Sequence, residues 1–178
     1  MVARDAKDRP ILLVGMMGCG KSTVGPALAR GLDRAFVDVD HEIEVRTGRT
    51  VPEIFEADGE AAFRGLESDT LAEAVGEDSV VALGGGAIAQ PGAPERLAKL
   101  GTVVYLRASL DSLMHRVGAA EGRPLLAGLD EAGRRERLEE MLRDRRAAYE
   151  SARLLVDTDG QSVEQIARTI IEALGIES

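Results

Sequence analysis

Short apolar runs alternate with longer stretches of mixed polarity along the chain, and this alternation predicts the secondary structure. Five runs are short, rich in β-branched residues and bounded by glycine or acid, which is typical of buried strands: 11–14, 35–39, 79–83, 102–106 and 154–157. Helical spacing of apolar residues predicts helices directly after the first strand and at 41–75, 109–117, 130–149 and 162–174. Breaks are expected near Gly48 and Gly59, and Thr50 with Glu53 indicates a capping box. Alternating strands and helices predict an α/β fold, a three-layer α/β/α arrangement with a five-stranded parallel sheet.

Length and composition narrow the class of protein. The 178 residues suit one domain, and no apolar stretch approaches the roughly 18–20 residues that a membrane span needs. The polar segment 1–10 lacks the apolar core of a secretory signal. A net charge of −9 argues against nucleic-acid binding by bulk electrostatics. The single cysteine, Cys19, rules out an intrachain disulfide and a cysteine-based zinc cluster. We therefore expect one cytoplasmic domain over 1–178, with 1–9 as a flexible tail and no membrane or nucleic-acid partner.

A phosphate-binding motif follows the first predicted strand and opens the first helix. Its residues match the spacing Gly-x-x-x-x-Gly-Lys-Ser in full: Gly15-Met16-Met17-Gly18-Cys19-Gly20-Lys21-Ser22. Glycines let backbone N–H groups wrap around phosphate oxygens, and the helix N-terminus adds its positive dipole. Lys21 can reach the β- and γ-phosphates, and the hydroxyl of Ser22 can bind Mg²⁺. The motif predicts a P-loop NTPase fold. Because the chain is short and lacks an Asn-Lys-x-Asp guanine signature, a small-molecule kinase is favoured.

Other polar and glycine-rich segments follow the later strands, at the edge where parallel sheets bind ligands. Asp38 and Asp40, two positions apart at the end of the predicted second strand, would share a face if the extended backbone continues, with one towards a metal and the other towards a substrate hydroxyl. Solvated acids at a strand end are the alternative. Arg64 could clamp a carboxylate bidentately, or pair with acids on its own helix. The triple glycine 84–86 would let a ligand approach the backbone, or form a flexible turn.

The order and spacing of these features resemble the shikimate kinase family, whose members phosphorylate the 3-hydroxyl of shikimate in aromatic amino-acid biosynthesis. The resemblance runs from about residue 11 to 174. Besides the P-loop it rests on the following segments: Phe36-Val37-Asp38-Val39-Asp40, Ile54-Phe55, Gly59-Glu60, Phe63-Arg64, Glu67, Gly84-Gly85-Gly86, Val104-Tyr105-Leu106, Arg123-Pro124-Leu125-Leu126, Arg145 with Tyr149, and Thr158-Asp159 with Gln161.

This resemblance implies a site divided between ATP and shikimate, with Mg²⁺ as cofactor. It assigns ATP contacts to Gly18, Cys19, Gly20, Lys21, Ser22, Thr23, Arg116, Arg123 and Gln161. It assigns shikimate contacts to Asp40, Phe55, Phe63, Arg64, Gly85, Gly86 and Arg145, mostly within a substrate-binding region at 38–75.

Within that division, the catalytic residues would be Lys21, Asp40 and Arg123. Asp40 is the candidate base, with no need of a raised pKa because a loose transition state demands little base strength. Arg123 would reach the transferred phosphate from a mobile lid at about 118–129. Ser22 and, through water, Asp38 would hold the metal. A monomer is the default expectation.

Three departures from the family pattern leave alternatives open. Ala82-Leu83 precedes the triple glycine, where a hydroxyl residue is frequent. The sequence Arg146-Ala147-Ala148 replaces the usual Asn-Pro-Leu, so both Arg145 and Arg146 are candidates for the substrate arginine. The segment 127–133 is slightly long. Competing functions are a gluconate-type or nucleoside monophosphate kinase, or a catalytically idle nucleotide-binding module.

Overall fold

A single parallel sheet organises the molecule. The computed structural model describes residues 9–76, 78–118 and 124–176. Within these ranges the strands are β1 Ile11–Val14, β2 Ala35–Asp38, β3 Ser79–Ala82, β4 Thr102–Arg107 and β5 Leu154–Asp157. Their order across the sheet is β2-β3-β1-β4-β5, and every neighbouring pair is parallel. The prediction of a five-stranded parallel sheet is therefore confirmed.

Helices connect the strands, as parallel pairing requires. They are α1 Lys21–Gly31, α2 Val39–Thr47, α3 Val51–Ala74, α4 Ala93–Leu100, α5 Leu110–Val117, α6 Glu131–Glu150 and α7 Val163–Leu174. The helix α4 was not predicted, because it has only eight residues between Gly92 and Gly101 and carries a proline in its first turn. Two short 3₁₀ turns, Ala87–Ala89 and Pro124–Leu126, complete the described elements. None of the helices in the described ranges is long and apolar enough to cross a membrane.

Side chains of β1 show why the fold has three layers. Ile11 and Leu13 point into one apolar cluster, while Leu12 and Val14 point into the other, and all four are buried. The first cluster also contains residues of α1, α5, α6 and α7, and the second contains residues of α2, α3 and α4. Because successive side chains of a strand face opposite sides, a strand covered on both faces reads as a continuous apolar run.

The junction between β2 and α2 differs from the prediction. The strand ends at Asp38, and Val39 already belongs to the helix. Asp38 is the N-cap of α2, where its carboxylate accepts a hydrogen bond from the backbone N–H of His41. Asp40 therefore lies in the first turn of a helix, and the expectation that both acids share one face of a strand is wrong.

Both predicted breaks between residues 41 and 75 are confirmed. Gly48 ends α2 in the left-handed conformation, with φ of 66°. Thr50 and Glu53 then form a complete capping box at the start of α3. Gly59 interrupts α3 with φ of 81° and ψ of 173°, a conformation open essentially only to glycine. The two halves of α3 consequently diverge at Gly59.

Candidate active site

A cavity of about 500 Å³ surrounds the P-loop at the carboxyl edge of the sheet. All of the predicted ATP-binding residues that the structure describes line it: Gly18, Cys19, Gly20, Lys21, Ser22, Thr23, Arg116 and Gln161. Arg123, the remaining predicted contact, lies outside the described residues. Gly18 and Gly20 have φ of 80° and 107°, so the wrapping of the loop depends on glycine. The ammonium group of Lys21 donates to the carbonyl oxygen of Gly15 at 2.8 Å, which holds it over the loop.

The two predicted metal-binding residues are in contact, Ser22 at the start of α1 and Asp38 at the end of β2. The hydroxyl of Ser22 donates to Oδ2 of Asp38 at 2.6 Å. Hydroxyl and carboxylate oxygens are hard ligands that suit Mg²⁺, which usually keeps several waters and shares its site with substrate phosphates. No group of three or more His, Cys, Asp or Glu side chains in the described ranges could form a metal cage. These residues fit a magnesium ion that arrives with a nucleotide.

The far wall of the large cavity is fixed by Arg116. Its guanidinium donates to the hydroxyl of Thr158 at 3.1 Å and to the carbonyl oxygen of Gly18 at 3.4 Å. Gln161 donates to the carbonyl oxygen of Asp157 at 2.9 Å. Thr158 is buried and lines the cavity, a placement that the sequence analysis did not assign to it. The sequence feature that pointed to Thr158 was the Thr158-Asp159 pair in the family resemblance.

A second cavity of about 200 Å³ adjoins the first. All of the predicted shikimate contacts line it: Asp40, Phe55, Phe63, Arg64, Gly85, Gly86 and Arg145. Of the two arginines left open, Arg145 lies in this cavity, whereas Arg146 is exposed and pairs with Glu150 at 2.9 Å. The rings of Phe55 and Phe63 approach to 4.7 Å between centroids, across the Gly59 break.

Arg64 pairs with acids on its own helix, which was one of the two interpretations, and it also lines the smaller cavity. Its guanidinium pairs with Glu67 at 2.8 Å and with Glu60 at 2.9 Å, and it also lies over the ring of Phe63. Glu67 is only 4% exposed, so it holds Arg64 from the protein interior. In the sequence, Glu67 stands out only as part of the family resemblance and as one of the acids on the same helix as Arg64. Its burial could not be read from helical spacing alone.

Charged side chains pack closely against two residues of the triple glycine. A Cβ atom at Gly86 would collide with the guanidinium of Arg64. One at Gly84 would collide with the carboxylate of Glu67 and would lie 2.9 Å from Oδ1 of Asp40. Gly84 and Gly86 thus allow side chains of the site to approach the backbone closely.

Asp40 lines both cavities and is the carboxylate at their junction. Its Oδ1 atom is buried and has no hydrogen-bond partner among the described residues. Burial, followed by the charges of Glu67 and Asp38, raises the pKa of Asp40 from 3.8 to about 6, although Lys21 and Arg64 oppose the shift. A raised pKa of Asp40 was not expected from the sequence, but the surroundings of the carboxylate raise it. At neutral pH, Asp40 is a carboxylate that readily accepts a proton.

Comparison with known proteins gives a consistent result. The sequence model of a family described as shikimate kinase matches residues 17–175 of this chain. A shikimate kinase of Methylococcus capsulatus is 46% identical over 167 residues, which cover 93% of this chain and 92% of the relative. The solved structure of shikimate kinase from Acinetobacter baumannii in complex with shikimate has a TM-score of 0.87 at 39% identity, covering 93% of this chain and 92% of that one. A gluconokinase from Sinorhizobium meliloti has a TM-score of 0.57 at 21% identity over 97% of this chain and 94% of its own, a likeness of fold alone.

Proposed function

The chain belongs to the shikimate kinase family, and we propose that it transfers the γ-phosphoryl group of ATP to the 3-hydroxyl of shikimate. The products are shikimate 3-phosphate and ADP, in the biosynthesis of aromatic amino acids. The observation that carries this proposal is the junction of two cavities at Asp40. Lys21, in the larger cavity, suits the phosphates of ATP, and Arg64, in the smaller cavity, suits the carboxylate of shikimate. The Asp40 side chain lies where the two cavities meet.

On the ATP side, the P-loop would hold the triphosphate and neutralise its charge. The backbone N–H groups at Gly18 and Gly20 bind phosphate oxygens, and Lys21 exchanges its bond to Gly15 for the β- and γ-phosphates. Ser22 and Asp38 would hold a magnesium ion that arrives with ATP, and the ion would supply positive charge against the transferred group. Arg116 and Gln161 form the opposite wall, near the adenine.

On the shikimate side, the charged residues match a substrate with hydroxyls and one carboxylate. Arg64 and Arg145 bind the carboxylate, and Phe55 and Phe63 cover the ring. The backbone of Gly85-Gly86 contacts the hydroxyls. Asp40 binds the attacking hydroxyl and takes its proton, for which a pKa near 6 suits catalysis at neutral pH.

Lid closure would complete the site from residues 118–129. The described end of this segment supports the proposal, because Leu126 is buried in the core and Leu125 lines the smaller cavity. Arg123 precedes Leu125 by two residues in the sequence and lies outside the described ranges. It would reach the migrating phosphoryl group, and closure would exclude water and limit ATP hydrolysis.

A coupled assay of ADP release tests the function directly. The protein is supplied with ATP, Mg²⁺ and shikimate, and parallel reactions replace shikimate with gluconate or replace Mg²⁺ with EDTA. We expect ADP release that depends on shikimate and on Mg²⁺, and a ³¹P spectrum that shows a phosphate monoester of shikimate. The variant Lys21→Ala is the matched control, because it removes the phosphate-binding ammonium and should be inactive with either acceptor. Activity with gluconate and none with shikimate would overturn the proposal.

A further inference from the structure

One buried tyrosine contacts the backbone of the shikimate cavity without lining the cavity itself. The hydroxyl of Tyr149 donates to the carbonyl oxygen of Gly85 at 2.5 Å. Its side chain is 0% exposed, and its ring stacks on that of Tyr105 with 4.8 Å between centroids and an angle of 8°. The hydroxyl is thereby aimed at the middle residue of the triple glycine, and the mechanism above gives it no role.

The same carbonyl oxygen accepts a second hydrogen bond. Nη1 of Arg145 donates to it at 3.3 Å, and Arg145 precedes Tyr149 by one turn of α6. A carbonyl oxygen has two lone pairs, so both donors can bind it together. Tyr149 is buried and cannot turn away, whereas Arg145 lines the cavity and can. A guanidinium that turns to a substrate carboxylate gives up its bond to Gly85.

We propose that Tyr149 is a positioning residue for the acceptor substrate: its hydroxyl keeps the Gly85 carbonyl satisfied and in place, which frees Arg145 to bind the carboxylate of shikimate. This inference rests on the proposed function, because it takes Arg145 as a carboxylate ligand. Without the hydroxyl, Arg145 would be the remaining side-chain donor to this carbonyl among the described residues, and binding a carboxylate would leave the carbonyl without that hydrogen bond.

The chemistry of the tyrosine suits a permanent donor. Burial raises the pKa of Tyr149 well above its ordinary value, so the hydroxyl keeps its proton throughout the working range. Its ring has a separate contact, since Tyr105 lies on β4 opposite Val14, the residue before the P-loop. Loss of the whole ring would disturb both the ATP cavity and the shikimate cavity. Loss of the hydroxyl alone should affect only the binding of shikimate.

The test compares Tyr149→Phe with Tyr105→Phe. Each variant keeps the stacked rings and removes one hydroxyl, and the hydroxyl of Tyr105 does not donate to Gly85 in the described part of the chain. For Tyr149→Phe we expect KM for shikimate to rise roughly three- to tenfold, the effect of one hydrogen bond, with KM for ATP and kcat within about twofold of wild type. For Tyr105→Phe we expect all three constants within about twofold of wild type.

A second measurement separates positioning from general loosening of the fold. Binding of shikimate and of its methyl ester is measured by calorimetry, and the melting temperature is recorded for each variant. Because the ester lacks the carboxylate, Tyr149→Phe should weaken binding of shikimate and leave binding of the ester within about twofold. Equal losses for acid and ester, or an unchanged KM for shikimate, would overturn the assignment while leaving the proposed function intact. Absence of shikimate-dependent ADP release by the wild type would instead refute the proposed function, and the assignment with it.

Discussion

Replacing Asp40 with asparagine tests how much stability the protein gives up to keep this carboxylate at the junction of its two cavities. The raised pKa of Asp40 has a thermodynamic consequence, because folding shifts the pKa from 3.8 to about 6. Such a rise corresponds to about 3 kcal/mol of preference for the protonated form in the folded state. An asparagine side chain cannot ionise, so Asp40→Asn should remove the penalty of burying a charge.

The gain in stability from Asp40→Asn depends on pH. Since the pKa of Asp40 is raised in the folded protein, protonation of Asp40 stabilises the fold fully below pH 3.8, and this stabilisation is lost as the pH rises through about 6. Above that value the folded protein carries an ionised, partly buried Asp40. The carboxylate is not fully enclosed, so we expect Asp40→Asn to stabilise the fold by roughly 1–3 kcal/mol at about pH 8. For a chain of this size that is a rise of about 2–10 °C in melting temperature.

Thermal unfolding of the nucleotide-free protein in EDTA checks this expectation, because a bound cation would lower the pKa of Asp40. Melts are recorded at about pH 8 and about pH 5, where the gain should shrink as wild-type Asp40 takes up a proton. Glu56→Gln, on an exposed position of α3, is the matched control and should change the melting temperature little at either pH. A melting temperature of Asp40→Asn no higher than that of wild type at the higher pH, or an equal gain at both pH values, would refute the reasoning.

Asp40→Asn should also lose both turnover and affinity for shikimate. Unchanged binding of shikimate by calorimetry would remove Asp40 from the pocket.

Two further expectations concern the lid and α3. Arg123→Ala should keep ATP binding measurable and lower turnover about 10³-fold or more, because it removes the arginine assigned to the migrating phosphoryl group; turnover near the wild-type value would contradict that role. In α3, Gly59→Ala should lower the free energy of unfolding by about 1–3 kcal/mol, since φ of 81° with ψ of 173° excludes other residues. Gly65→Ala, at an exposed helical position with open space around the new Cβ, should raise it by about 0.5–1 kcal/mol. Urea unfolding of both variants checks the opposite signs, and changes of the same sign would be inconsistent with this account of Gly59.

Features encoded by neighbouring residues could be predicted from the sequence. The strands are continuous apolar runs, the P-loop is a contiguous motif, and the capping box at Thr50 and Glu53 spans one helical turn. The helix α4 was missed because eight residues with a proline in the first turn give little periodicity. The predicted strand ended one residue too late, and Asp40, expected at the end of that strand, lies in the first turn of a helix.

Features that arise from residues distant in the chain could not be predicted. The raised pKa of Asp40 depends on burial and on Glu67, which belongs to another helix. The close approach of the Arg64 guanidinium to Gly86 depends on how α3 packs against the end of β3. The contact between Tyr149 and Gly85 joins α6 to the end of β3, and no local pattern marks it. The described residues that the family resemblance named line the two cavities, but only the packing gives the electrostatic and steric reasons for their placement.

The wall shared by the two cavities has a consequence for inhibitor design. Met17, Asp40 and Gly85 line both cavities, so a single bisubstrate compound could span them. Tethering a shikimate analogue to an adenine nucleotide makes the second binding event intramolecular, which can raise affinity by about 10²–10⁴ over either fragment if the linker matches the span. The linker must pass the carboxylate of Asp40, which lines both cavities and is ionised above about pH 6. A linker that donates a hydrogen bond to this carboxylate should therefore bind better than one that carries an additional negative charge.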